Sequence, residues 1–313
     1  MPIPPSFRHA ALVVAHPSHE LRVHGWLEQA RPYVCILTDG GGRSGEPRLS
    51  RTSEVLARAG ATQGVMYGRL TDLEVYAAIL KGDAELFAGL VEELAQAFVT
   101  EQIDYVVGDA AEGYSVAHDV CRVMIGAAVE RARQQHDHHV ANFDFPVVGA
   151  PAEPQQGDDI YLKLDDAAYE RKINAALAYT PKLARDVEAA LNGEPFQGIR
   201  RFSEPQLAGE VDVELRAAVL EELESRPQLK AQLRDIVEGV PLDAFRVECL
   251  RSVDNQMGTH WTTTPLFYEL YGAKLVTAGR YDKAIYYREH MLPLAEAIRA
   301  RTEKRELCVR SAS

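Results

Sequence analysis

The 313-residue sequence predicts an α/β fold: a Rossmann-like, doubly wound and mostly parallel sheet carrying a mainly helical C-terminal extension. Two observations predict it. Short apolar runs of the kind buried on both faces of a parallel sheet recur through the first half. Between them lie stretches of helical period, which gives β-α alternation. A third observation concerns chemistry, since His16, His19, Asp39 and the stretch from Asp109 to His118 all fall just after those runs, beyond the carboxyl ends where open α/β sheets gather their ligands.

The first run, residues 9–15, leads into His16-Pro17-Ser18-His19-Glu20, with a helix expected over 19–31. Residues 33–38 form the second run, followed by Asp39, the glycines 40–42 and a helix over 50–60. A helix over 83–101 precedes the third run, 104–108, and a helix over 117–135 follows it; a fourth run is expected at 145–149. Past residue 150 the alternation stops. One long helix is expected over 164–192, ended by Asn192-Gly193, and another over 211–238. The aromatic and β-branched stretch 245–277 reads as strands or an irregular cap, before a last helix over 280–304. The division expected is an α/β metal-binding domain over 1–192 and an extension over 193–313 packed on it as a cap.

Composition excludes several function classes. A formal charge of -12 argues against nucleic acid, whose affinity for protein rests on clustered Lys and Arg displacing counterions. No apolar stretch reaches membrane-spanning length, and the N-terminus lacks the charged region and apolar core of a secretory signal, so a cytoplasmic chain with no membrane partner is expected. Cys35, Cys121, Cys249 and Cys308 show no paired short spacing and are expected as free thiols. The expected partner is a small-molecule substrate, with a second copy of the chain left open.

A helix starting near Pro17 places His16 at its start and His19 one turn on, so both imidazoles can reach one point. His118, which opens the helix after the third run, supplies the third ligand that a catalytic zinc needs, leaving a position for water. The reading is a metal site of His16, His19 and His118 holding Zn2+, with Fe2+ or another divalent transition metal as the alternative.

The stretch Val13 to Glu20 resembles the A-H-P-D-D-E motif of the PIG-L/LmbE-like family of zinc-dependent N-acetylglucosamine deacetylases. Leu37-Thr38-Asp39-Gly40, Arg51 and Glu54, Ser115-Val116-Ala117-His118, and Lys172 to Tyr179 resemble later landmarks of that family in order, over about residues 9–190. The resemblance makes His16 the first zinc ligand and His118 the last, with His19 in place of a ligating aspartate. It also puts Ser18 where the family has its general-base aspartate, and Ser115 where it has an assisting histidine.

A serine hydroxyl has no accessible pKa near neutrality and cannot act as that base. Asp39, Asp109, Glu112 and Glu20 are therefore the candidate catalytic carboxylates, although the stronger reading of Glu20 is that it simply faces a helix dipole. Arg43, Arg51, Tyr114, Ser115 and Trp261 are the expected substrate contacts, Trp261 through stacking of its indole on a ring. The function these residues imply is metal-dependent hydrolysis of the N-acyl amide of an amino sugar or related metabolite. A metal enzyme of non-hydrolytic chemistry and a non-catalytic metabolite-binding homologue are the alternatives. The tract His136-Asp137-His138-His139 reads as a polar loop, and the glycines at 40–42 as an active-site loop rather than a P-loop.

Overall fold

The computed structural model describes residues 8–42, 46–136, 139–151, 153–154, 157–195, 218, 221–222, 225–227, 230, 234–253 and 265–310. Arg43, Trp261 and its threonine neighbours, and Asp137 and His138 lie outside the described residues.

Seven strands form one sheet in the order β3-β2-β1-β4-β5-β7-β6. They are β1 (Ala10–Val14), β2 (Tyr33–Thr38), β3 (Thr62–Leu70), β4 (Tyr105–Asp109), β5 (Ala141–Phe145), β6 (Ile160–Lys163) and β7 (Val247–Ser252). The first five pair in parallel, whereas β7 runs antiparallel to both β5 and β6. The chain winds outward from β1 through β2 to β3, then returns to lay β4 on the other side of β1. The switch point of the doubly wound sheet is therefore the β1/β4 junction, where a ligand site is expected.

Strand periodicity sends alternate side chains to opposite faces. From β1, Ala11 and Val13 enter one apolar core, while Ala10, Leu12 and Val14 enter the other. The first core is covered by α3 (Asp72–Lys81), α4 (Ala84–Thr100), α5 (Val116–His136) and α10 (Leu292–Arg310). The second is covered by α1 (His24–Ala30), α2 (Leu49–Ala59), α6 (Asp166–Tyr179) and α7 (Pro181–Leu191). Among the described residues past 193, α8 (Arg234–Glu238) and α9 (Phe267–Thr277) are further helices. Close contact of β1 and β4 requires a residue without a side chain, because a Cβ on Gly108 would stand 2.6 Å from the Val13 carbonyl.

Several expected elements differ. The fourth run becomes a strand at Ala141–Phe145 rather than 145–149. The long helix expected over 164–192 is two helices broken at Thr180, which is extended and caps α7, with Pro181 at the first position of α7. The start of the helix expected over 19–31 is a 3-10 turn, His19–Val23. Within 245–277 the chain forms β7 and then α9. Residues past 193 thus contribute a strand to the same sheet, held where Glu248 accepts the Gly25 and Trp26 N–H groups and the Lys172 ammonium at 2.7–2.9 Å. Cys35, Cys121 and Cys249 are buried free thiols. Among the described residues, no helix is long and apolar enough to cross a membrane.

Candidate metal centre and cleft

Three imidazoles meet at the switch point. His16 follows β1, His19 opens the 3-10 turn beyond it, and His118 lies in the first turn of α5 after β4. Their ring centroids are 5.3 Å (His16–His19), 5.2 Å (His16–His118) and 4.7 Å (His19–His118) apart. All three are buried.

Carboxylates stand behind two of them. His19 Nδ1 lies 2.9 Å from Asp109 Oδ2, and that same oxygen accepts the Ala15 N–H at 2.7 Å. Asp109 therefore ties the end of β4 to the end of β1 while turning the His19 ring. His16 Nδ1 lies 2.8 Å from Thr38 Oγ1 and 2.9 Å from Asp72 Oδ1, the latter a close polar contact rather than an aligned hydrogen bond. An Nδ1 that donates to Thr38, in His16, or to Asp109, in His19, leaves Nε2 with its lone pair, the tautomer a metal takes.

The remaining ring nitrogens fit that role. His19 Nε2 and both nitrogens of His118 are buried without any hydrogen-bond partner, a costly state for polar atoms unless a ligand completes them. Burial lowers the pKa of His19 against the opposing pull of Asp109. Burial, with the two neighbouring histidines, lowers that of His118 well below the ordinary value. Neutral imidazoles are what a metal requires.

Zinc–nitrogen bonds of about 2.0–2.1 Å and tetrahedral angles put the centroids of ligating imidazoles roughly 5 Å apart, close to the spacing found. Among the described residues, however, no three His, Cys, Asp or Glu donors already close around one point. Ring spacing is the weightier of the two, because the terminal torsion of histidine is soft and the donor atoms turn more easily than the backbone moves.

Ser18 sits between the histidines at φ 91°, a left-handed conformation unusual for a residue with a Cβ. Its hydroxyl is buried without a partner.

The four candidate carboxylates are all engaged in hydrogen bonds, Asp109 at the imidazole trio itself. None of Asp39, Asp109, Glu112 and Glu20 lines the adjoining cleft. Asp39 accepts the Gly41 N–H, and Glu112 accepts those of Val147 and Val148. Glu20, fully buried, accepts from Ser18 N–H and the Thr52 hydroxyl; burial pushes its carboxyl up to about 7 against those hydrogen bonds.

Asp72 was not among the candidates. It begins α3 behind a capping box in which Thr71 accepts the Glu74 N–H, and Thr71-Asp72-Leu73-Glu74 is the sequence signal that marks the helix start. Burial works to raise its pKa, but the His16 imidazole, the Thr38 hydroxyl and the Gly42 N–H hold the carboxyl well below the usual range.

A cleft of about 680 Å³ opens beside His16 and Asp72. Arg51, Tyr114 and Ser115 line it, as does Arg48, whose Nε donates to the Gly40 carbonyl. So do Phe267, Tyr268 and Tyr271 of α9, which carry the extension into the site.

No protein-family model matches this chain, and no curated protein matches it. Among solved structures it is similar to the A40926 pseudoaglycone deacetylase, at 17% identity over 54% of this chain and 79% of that one with a TM-score of 0.38. It is also similar to a deacetylase of teicoplanin biosynthesis in complex with bog, at 14% identity over 61% and 89% with a TM-score of 0.41. A zinc-inhibited form of teicoplanin deacetylase is similar at 11% identity over 53% and 82%, with a TM-score of 0.34.

Proposed function

We propose that this chain is a deacetylase-type amide hydrolase that depends on a divalent metal, zinc foremost, and removes the N-acyl group of an amino sugar or related small metabolite. The observation that carries this reading is the trio His16, His19 and His118, with unpartnered buried nitrogens on two of the three and carboxylates behind two. A metal held there supplies polarisation of the amide carbonyl and activation of water. The chain's own residues do the rest. Asp109 and Asp72 fix the tautomer and angle of His19 and His16, as outer carboxylates of metal sites do. Asp72 is the carboxylate that lines the cleft in contact with His16; held ionised well below the usual range, it orients His16 rather than replacing the base that Ser18 lacks. Arg48, Arg51 and Ser115 on the cleft wall hold the polar part of the substrate.

Protein purified without a histidine tag is expected to carry about one equivalent of zinc, lost in His118→Ala. It is also expected to release acid from a panel of N-acyl glucosamines. Metal below roughly a tenth of an equivalent, unchanged by His118→Ala, overturns the metal assignment. A second reading, a metabolite-binding protein without turnover, is favoured by the engagement of Asp39, Asp109, Glu112 and Glu20 in hydrogen bonds away from the cleft. Sugar binding in calorimetry with no acid released would establish it.

A further inference from the structure

The cleft is built from helices of both faces of the sheet, and its two sides differ in chemistry. From the second core's side come Arg48 and Arg51 at the start of α2 and Arg185 of α7. From the first core's side come Leu73 of α3, Tyr114 before α5, and Phe267 and Tyr271 of α9. Tyr114, Phe267 and Tyr271 form a ladder of nearly parallel rings, with centroids 4.6 and 5.8 Å apart and tilts of 11° and 9°. Leu73 is 56% exposed at the cleft, one of few large apolar side chains so placed among the described residues. Tyr114 and Phe267 are themselves buried, so Leu73 and the partly exposed Tyr271 carry the apolar surface open to a ligand, and an acetyl group is too small to cover both.

We infer that the ladder Tyr114–Phe267–Tyr271, with Leu73, is an acyl-chain subsite, and that the substrate's N-acyl group is a medium-length or aryl chain rather than acetyl. The inference rests on the amide-hydrolase reading for the direction in which the chain lies, with the amide at His16 and the polar half toward the arginines. The volume agrees, since about 680 Å³ falls within the roughly 300–1,000 Å³ that takes a whole drug-sized ligand. Apolar area carries the preference, because each methylene removed from water adds to affinity without any new polar contact. Residues past 193 supply two of the three rungs, Phe267 and Tyr271, so α9 sets which acyl group the cleft receives.

The test is calorimetric binding of N-octanoylglucosamine and N-acetylglucosamine to metal-free protein, which reads affinity without turnover. The octanoyl probe is expected to bind at least roughly tenfold more tightly. Leu73→Asp, an exposed position, and Tyr271→Ala should each remove most of that difference while leaving the acetyl probe's affinity and the helical circular dichroism unchanged. Equal affinities for the two probes, or variants that weaken both alike, would overturn the subsite. The two readings fail separately. Tight octanoyl binding without acid release from the zinc-loaded protein keeps the subsite and removes the hydrolase, whereas acid release from both probes with no chain-length preference does the reverse.

Discussion

Asp109 Oδ2 stands 2.9 Å from His19 Nδ1 and also accepts the Ala15 N–H, so one carboxylate both closes the β1/β4 junction and aims a candidate ligand. Asp109→Asn keeps the size but offers one acceptor oxygen where two now serve. Zinc affinity, measured by competition with a chromogenic chelator, is expected to fall about 10- to 100-fold. The loss of a charge-assisted bond to a buried amide adds a stability cost of about 1–3 kcal/mol. Unchanged zinc affinity would mean that Asp109 acts on the fold alone.

Asp72 allows proton transfer to be separated from ligand positioning. A fall in kcat of about 100-fold or more in Asp72→Asn at saturating zinc would show that the carboxylate moves a proton in the reaction. A loss of zinc affinity with kcat preserved at saturating zinc would limit Asp72 to orienting His16. Steady-state kinetics across a zinc titration distinguishes the two.

The parts of the fold legible in the sequence are those in which one segment settles its own structure. Runs such as Ala10–Val14 and the 34–37 stretch of β2 are apolar throughout because both faces of the strand are buried. Edge position hides β3, whose TQGVMYGRL leaves most positions partly exposed and so shows no buried run. Strand β7 carries Glu248 and Arg251, polar residues that its partners Lys172 and Asp144 satisfy only after folding. His16, His19 and His118 were legible because each follows an identifiable strand. Asp72 was not, since the capping signal Thr71–Glu74 marks only a helix start, while the meeting with His16 depends on β3, which shows no buried run.

Glu248 joins the extension to the α/β core through a buried ion pair with Lys172 at 2.8 Å. Burial lowers the Lys172 pKa, against the pull of Glu248, so removing the partner strands an ammonium in the interior. Glu248→Ala is expected to cost about 3–5 kcal/mol in urea unfolding. Replacing both residues together with apolar side chains of similar size should cost less than that single change. A double variant less stable than Glu248→Ala would contradict the account.

Glu112 gives the protein a pH dependence of defined sign. Part of its side chain reaches the surface, but its carboxylate ends beneath the Val147 and Val148 amides. Burial raises its pKa from 4.5 to about 8, the two amides and Arg22 opposing. The folded state therefore holds this proton more tightly than the unfolded one. Its contribution is fully present below pH 4.5 and is lost as the pH rises toward 8. Urea midpoints at pH 5 and pH 8 should differ less in Glu112→Gln than in the parent protein, and an identical difference in the two would rule out this source.

Ser18 is the position where the local backbone and the expected chemistry diverge most. At φ 91° it occupies a conformation that disfavours a Cβ by about 1–2 kcal/mol, and its hydroxyl returns no hydrogen bond. Its N–H still donates to Glu20 Oε2 at 2.8 Å, a bond any residue but proline can make. Ser18→Gly relieves the steric cost and discards an unpartnered polar atom. Against this, glycine adds about 0.5–1 kcal/mol of unfolded-state entropy. The net expectation is a gain of up to about 1 kcal/mol, read as a thermal midpoint raised by roughly 1–3 °C. Ser18→Val, β-branched and intolerant of positive φ, should lower the midpoint. If glycine lowered it as well, the serine hydroxyl would have to be doing something that its present surroundings do not show, and zinc loading of the two variants would be the place to look, because Ser18 lies between two of the three imidazoles.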